Sequence, residues 1–205
     1  MSAYTISRSL LNFCIDRLFK VRFFGKENIP PPPYIVASNH ASYLDPPLIG
    51  NACRKDSIDF LTKSELLELP VVGAWCRIVD CIEVKRGKNS VKSLREALRR
   101  IKNKRSIAIF PEGTRSEDGS LQEGKKGAGF IIAAAGVPII PVYIGGTADA
   151  MAKGRGIHPG AEINVYVGKR IMPEEFPGSS AGKKDYGSIA GMVMDRIARI
   201  KLLHV

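Results

Sequence analysis

Short apolar runs alternate along this chain with longer stretches of helical periodicity. Tyr34 to Ala37 reads as a buried strand, and Ile58 to Leu61, 81–84, 106–110, 137–144 and Glu162 to Val167 read as further strands. Between them, Pro46 and Pro47 start a helix running to about Cys53, and Glu65 to Trp75 is helical in two pieces broken at Pro70. In the segment after residue 84, Val91, Leu94, Leu98 and Ile101 recur at helical spacing. A helix from about Lys125 to Ala135 stops at Gly136, a natural left-handed cap. The last helix, Tyr186 to Leu203, carries Ile189, Met192, Val193, Ile197 and Ile200 on one side. Strands alternating with helices predict an α/β fold: a mixed or mostly parallel sheet covered by helices on both faces.

The N-terminal stretch from Tyr4 to Phe24 is rich in leucine, isoleucine and phenylalanine but interrupted by Arg8, Asp16, Arg17, Lys20 and Arg22. A spanning helix needs about 20 mostly apolar residues, so this segment does not cross a bilayer. It reads as an amphipathic helix that lies on a membrane surface or packs on the domain. Pro30 to Pro33 cannot be helical and mark a boundary. The division expected is a membrane-associating segment, 1–29, and one catalytic domain, 30–205, large enough for a real core.

Charge narrows the partners. Lys and Arg number 31 against 20 Asp and Glu, a formal charge of +11, which implies an acidic partner such as anionic lipid, an acidic protein or nucleic acid. Much of it is concentrated between Lys85 and Arg105, where Glu96 is the one acid and Lys92, Arg95, Arg99 and Lys102 share a helix face beside the apolar one. That face is either merely solvated or docks an anionic membrane or an acidic protein. Nucleic acid is disfavoured, because neither a zinc-ligand array nor an aromatic base-stacking platform accompanies the charge. Cys14, Cys53, Cys76 and Cys81 show no C-x-x-C spacing and only three histidines exist, so no metal site is expected. The cysteines read as reduced thiols, although an even number does not exclude a disulfide.

Chemistry concentrates in two turns. Asn39-His40-Ala41-Ser42-Tyr43-Leu44-Asp45 follows the strand ending at Ala37. Imidazole titrates near neutrality, and a carboxylate at one ring nitrogen fixes the tautomer so that the other accepts a proton. By itself the pair is equally a capped loop with a hydrogen-bonded histidine. The second turn, Phe110-Pro111-Glu112-Gly113-Thr114-Arg115-Ser116, also follows a short apolar strand. Two polar turns at strand exits meet on one edge of an α/β sheet, where such sheets place their ligands. His158 and His204 have no such setting. No G-x-S-x-G turn points to a hydrolase.

These segments, Asn39 to Asp45 and Phe110 to Ser116, resemble the two signature blocks of the glycerolipid acyltransferases, specifically the 1-acyl-glycerol-3-phosphate (lysophosphatidate) acyltransferases. Ile82-Glu83-Val84-Lys85-Arg86 is similar to the family's second block, Lys125-Lys126-Gly127-Ala128 to its lysine turn, and Val137 to Val142 to its proline-bracketed strand. Asp80, Glu83 and Gly124 depart from the family pattern, standing where a glycine and two aromatics are usual.

The resemblance implies transfer of a fatty acyl group from an acyl-CoA or acyl-carrier-protein thioester to the sn-2 hydroxyl of 1-acyl-glycerol-3-phosphate, giving phosphatidate. It implies His40 as general base oriented by Asp45. The substrate-binding residues would be Arg86, Arg115, Lys125 and Lys126 around the phosphate, with Glu112, Gly113 and Thr114 beside them, Gly113 offering an N–H to the oxyanion. No cofactor beyond the thioester co-substrate is expected. The partners would be a membrane lipid acceptor, the acyl donor and an anionic membrane surface, with the protein peripheral or monotopic on the cytoplasmic face of the membrane. Glycerol-3-phosphate or another lysolipid is the alternative acceptor, and a non-catalytic anionic-lipid-binding module the alternative of another class.

Overall fold

The computed structural model describes residues 3–53, 57–84, 90–152, 154–178 and 185–204. Among these, seven strands form one sheet: β1 (Lys20–Phe24), β2 (Ile35–Ser38), β3 (Ile58–Lys63), β4 (Ile82–Val84), β5 (Ser106–Ile109), β6 (Ile139–Gly145) and β7 (Glu162–Val167). Their spatial order is β1-β7-β6-β2-β5-β3-β4. Strands β2 to β6 run parallel, with Ile35 of β2 opposite both Ile107 and Ile139. Strand β7 runs antiparallel to β6, and β1 pairs with it in parallel at the far edge.

Among the described residues eight α-helices accompany these strands: α1 (Ala3–Leu18), α2 (Asp45–Ala52), α3 (Ser64–Leu67), α4 (Pro70–Ile78), α5 (Ser90–Lys102), α6 (Lys126–Ala135), α7 (Thr147–Met151) and α8 (Tyr186–His204). Successive strand residues point to opposite faces, and the core divides accordingly. Tyr34, Val36, Phe60, Ala108, Val142 and Val165 face Ile15 of α1, Leu48 and Ile49 of α2 and Trp75 of α4. Ile35, Ala37, Ile107, Ile109 and Ile139 face Ala97 and Ile101 of α5, Ile132 of α6, and Ile189, Val193 and Ile197 of α8. The result is the three-layer arrangement expected, a mostly parallel sheet with helices on both sides. Helix α6 lies so close to the start of α8 that a Cβ on Gly129 would fall 1.8 Å from the Tyr186 carbonyl oxygen.

Because β2 to β6 share a direction, the turns after them emerge on one edge. The His40 turn leaves β2 and the Glu112 turn leaves its neighbour β5, which sets the two polar segments side by side.

Two elements differ from expectation. The helix read over Tyr4 to Phe24 ends at Leu18, and Lys20–Phe24 is a strand whose alternate residues, Val21 and Phe23, turn toward the core. Five residues of period two are hidden inside a longer amphipathic pattern. The stretch 1–29 therefore supplies an edge strand of the sheet as well as a helix. Helix α1 itself rests on α2 and α4 and leaves Ile6, Leu10 and Phe13 more than half exposed. The short helix α7 was not anticipated; it follows Gly146, whose φ of 85° opens the turn after β6.

Candidate active site

The chain that leaves β2 folds back on a single carboxylate. Asp45, the first residue of α2, has no exposed surface. Its Oδ2 accepts the backbone N–H groups of Ala41 and Ser42, each at 2.8 Å, and lies 2.8 Å from His40 Nδ1. Nδ1 therefore carries its hydrogen toward Asp45, and Nε2 is the ring nitrogen left to accept a proton. Asp45 Oδ1 is buried and has no partner among the described residues.

Neighbours fix this turn in place. Asn39 is buried at the end of β2, where its side-chain amide donates to the Ile144 carbonyl at 2.9 Å and accepts the Ile144 N–H at 2.8 Å, extending the pairing of β2 with β6 by one side chain. Ser42 Oγ donates to the Met151 carbonyl at 2.7 Å. From β5, Phe110 stacks on the His40 ring with centroids 3.9 Å apart, and the Ser116 N–H donates to the His40 carbonyl at 2.8 Å. Asn39, Ser42, Phe110 and Ser116 all lie inside the two motifs, but nothing in the sequence specified what they do. The Ser42 contact joins residues 109 apart and has no local signal.

His40 lines a cleft of about 790 Å³ bounded by β3, β4, α5, the Phe110 turn and α6. Leu61, Leu66, Val84, Val91, Leu94, Ile109, Phe130 and Ile131 make most of its wall apolar, while Lys63, Arg115 and Lys125 bring positive charge to it. The expected site residues divide at this point. Gly113, Thr114, Arg115 and Lys125 line the cleft with His40. The Arg115 guanidinium lies 3.7 Å above the centre of the Tyr43 ring, a cation–π contact that holds it beside the histidine turn. Lys126 does not line the cleft; its side chain runs toward Gly187 at the start of α8 and its charge is felt by Asp185. Arg86 lies outside the described residues. Gly113 has φ 69°, and its N–H already donates to the Phe110 carbonyl at 3.0 Å, so the oxyanion role expected of that N–H is not available in this arrangement. Among the described residues no group of three or more His, Cys, Asp or Glu side chains is arranged to hold a metal ion.

Glu112 points the other way. It is 1% exposed, and neither carboxyl oxygen has a hydrogen-bond partner among the described residues. Burial pushes its pKa up to about 7, and the charge of Asp45 adds to the rise. The backbone near Gln122 and His40 pulls in the opposite direction without satisfying either oxygen in good geometry. It makes no ion pair with Arg115, which rests on Tyr43 instead. A carboxyl with a raised native pKa holds its proton after the unfolded chain has released its own, so it contributes stability that is present below about pH 4.5 and lost as pH rises toward about 7. The loss is on the order of 3 kcal/mol. Glu112→Gln is therefore expected to gain on the parent protein by about that amount between pH 5 and pH 8, measured by urea unfolding across that range. A stability difference independent of pH would show that the group is not titrating there.

Known proteins share this organisation. The crystal structure of the 1-acyl-sn-glycerophosphate (LPA) acyltransferase from Thermotoga maritima superimposes with a TM-score of 0.81 at 28% identity, covering 98% of this chain and 79% of that one. The chloroplastic 1-acyl-sn-glycerol-3-phosphate acyltransferase of Brassica napus is 31% identical over 96% of this chain and 54% of its own length. The Saccharomyces cerevisiae 1-acyl-sn-glycerol-3-phosphate acyltransferase is 29% identical over 86% of this chain and 58% of its own length. The chain thus spans about half the length of the curated relatives it matches. The sequence model of the Acyltransferase family matches residues 20–145, which include both polar turns and more than half of the chain, and on that match the protein belongs to the Acyltransferase family.

Proposed function

We propose that this chain transfers a fatty acyl group from an acyl thioester, either acyl-coenzyme A or acyl carrier protein, to the sn-2 hydroxyl of 1-acyl-glycerol-3-phosphate, giving phosphatidate for phospholipid synthesis. The reading is supported by relatives whose names carry this acceptor. It rests above all on one observation: a carboxylate-oriented histidine opens on a cleft whose walls are mostly apolar and which also holds Arg115 and Lys125. An acceptor with a phosphate at one end and an acyl chain at the other matches both kinds of surface. Guanidinium binds phosphate bidentately and ammonium adds a point charge.

The proton inventory is short. His40 Nε2 takes the hydroxyl proton as the acceptor oxygen attacks the thioester carbonyl. The tetrahedral intermediate collapses by breaking the carbon–sulfur bond, and the departing thiolate recovers the proton from His40. Asp45 stabilises the imidazolium in between without itself taking the proton. A thioester is already activated, so neither a covalent acyl-enzyme nor a further cofactor is required. Positioning and general-base catalysis supply the rate.

The membrane is the expected source of the acceptor. No helix among the described residues is long and apolar enough to cross it. Ile6, Leu10 and Phe13 form an exposed apolar row along α1, with the exposed cations Arg17, Lys20 and Arg22 following it, a combination that suits attachment in the interfacial plane of an anionic membrane on the cytoplasmic side. Lys92, Arg95 and Lys102 on α5 remain exposed for an acidic partner such as an acyl carrier. Arg99 is a weaker member of that face, because Glu96 binds it through two hydrogen bonds of 2.7 and 2.8 Å.

His40→Ala is expected to lower kcat by about 10²–10⁴ with circular dichroism unchanged, since Asp45 keeps its two backbone donors; wild-type kcat in the variant would remove His40 from the chemistry. Arg115→Ala should raise KM for the phosphate-bearing acceptor by about tenfold or more while the thioester KM stays within a few fold. Equal rises for both substrates would take Arg115 out of the acceptor site. Changing Ile6, Leu10 and Phe13 together to serine should weaken binding to phosphatidylglycerol vesicles at least about tenfold, as read by sedimentation, whereas undiminished binding would return α1 to a purely structural role.

A further inference from the structure

Two of the four cysteines meet where α4 gives way to β4. The helix closes with a Schellman turn: the Cys81 N–H donates to the Cys76 carbonyl at 2.9 Å and the Asp80 N–H to the Arg77 carbonyl at 3.3 Å. Asp80 adopts the left-handed backbone this turn requires, with φ 54°. With the bond lengths and the fixed carbonyl angle, the path through the 2.9 Å hydrogen bond from Cys81 to Cys76 caps the separation of their α-carbons at about 6.8 Å, within the span a disulfide bridges. The turn also brings the side chains at its first and last positions together, and each thiol is close enough to alter the ionisation of the other. Cys76 is buried, with Sγ 3.8 Å from the Thr62 hydroxyl. Cys81 is half-buried and opens on a surface hollow beside Lys92 and Glu96. Cys14 and Cys53 lie elsewhere, on α1 and just after α2. Acyl transfer makes no use of the pair.

We propose that Cys76 and Cys81 are a modification site, a dithiol that a low-molecular-weight disulfide converts into an intramolecular disulfide, shifting the wall of the acyl cleft. The half-buried Cys81 sulfur attacks one sulfur of the added disulfide as its proton passes to the neighbouring Cys76 thiolate, forming a mixed disulfide and expelling one thiolate, which takes that proton from Cys76. The Cys76 thiolate then attacks the Cys81 sulfur, closes the protein's S–S bond and expels the second. The two cysteines are oxidised, the added disulfide is reduced to two thiols, and the two cysteine protons end on them. In the reduced pair the Cys81 thiol, with help from Thr62, brings Cys76 down to about 7 against the effect of burial, and the same hydrogen bond together with burial pushes Cys81 up, so near neutral pH Cys76 is the base that takes the Cys81 proton.

The bond reaches the cleft by two routes. Drawing the sulfurs to about 2.05 Å removes the S–H that Cys76 directs at Thr62, a residue that lines the cleft. Cys81 leads directly into β4, whose Val84 lines it as well. Among the described residues strand β4 is a three-residue edge strand whose one sheet partner is β3, tied to α5 where Ser93 Oγ donates to the Glu83 carbonyl at 2.6 Å, so a pull at Cys81 passes through a short element into Val84 and toward α5.

The activity arm of the test rests on the acyl-transfer reading, whereas the chemical arm does not. The full chain is incubated with oxidised glutathione near neutral pH and mapped by non-reducing peptide mass spectrometry, with phosphatidate synthesis followed in parallel. The expected result is a Cys76–Cys81 cross-link two hydrogens lighter than the reduced peptides, unchanged circular dichroism, and a several-fold fall in turnover that dithiothreitol reverses. Cys76→Ser and Cys81→Ser should keep activity, form no cross-link and lose the sensitivity to oxidant. Glutathione resting on Cys81 without a cross-link, a cross-link formed only in denaturant, or a cross-linked protein with full turnover overturns the proposal. If reduced protein shows no acyl transfer, that outcome counts against the acyl-transfer reading alone. The cleft is then read by binding of a fluorescent fatty acid, whose affinity falls on cross-linking if the proposal holds and stays constant if it does not.

Discussion

One buried oxygen, Asp45 Oδ2, organises the site, because three N–H groups from the preceding residues converge on it within 2.8 Å. Taking a carboxylate out of water is costly unless donors replace the lost hydration. All three donors come from residues 40 to 42, so the turn satisfies its own charge before anything else docks against it. The imidazole is then clamped from outside: Asn39 ties the start of the turn to β6, Phe110 covers the ring, and the Ser116 N–H holds the His40 carbonyl. Three adjacent strands, β6, β2 and β5, thereby determine the direction of one ring nitrogen.

The parallel core was legible because its strands are short apolar runs separated by amphipathic helices, and the Gly136 stop was legible because a left-handed cap favours glycine. Strand β1 was not. Its five residues, Lys-Val-Arg-Phe-Phe, follow α1 after a single residue, and only pairing with β7, more than a hundred residues away in sequence, makes them a strand. Asp80 presents the opposite case. The family pattern places glycine there, and the structure supplies the reason, a positive φ. Aspartate tolerates that region better than most side chains, so the turn survives the exchange.

Charge was the least readable property. The sequence shows a basic run between Lys85 and Arg105, but burial and pairing partition it. Arg100 is 7% exposed and faces Asp59, Asp80 and Glu96, and Arg105 also binds Asp59. Glu96 occupies Arg99 and Arg100 together, and those two hydrogen-bonded guanidiniums draw its own pKa down to about 2. Cations committed to such partners cannot also steer a distant one, and among the described residues of the run Lys92, Arg95, Lys102 and Lys104 remain exposed for long-range attraction. The same distinction separates Lys125 from Lys126: neighbours in sequence at the start of a helix point about 100° apart, so one lines the cleft and the other faces α8.

The Phe110 to Ser116 turn shows why a motif can identify residues without revealing their orientation. Gly113 adopts φ 69°, and this left-handed residue reverses the chain between Glu112, which is buried behind the histidine, and Thr114 and Arg115, which line the cleft. A glutamate and an arginine three positions apart therefore do not form the ion pair their spacing suggests. Arg115 gains its hold from the Tyr43 ring in the other motif, and Glu112 is left in an environment that favours its neutral form. Two carboxyl groups consequently stand near one imidazole under different conditions: Asp45 meets three N–H donors, while Glu112 meets none in good geometry. That contrast makes Asp45, not Glu112, the carboxylate that fixes the orientation of the His40 ring.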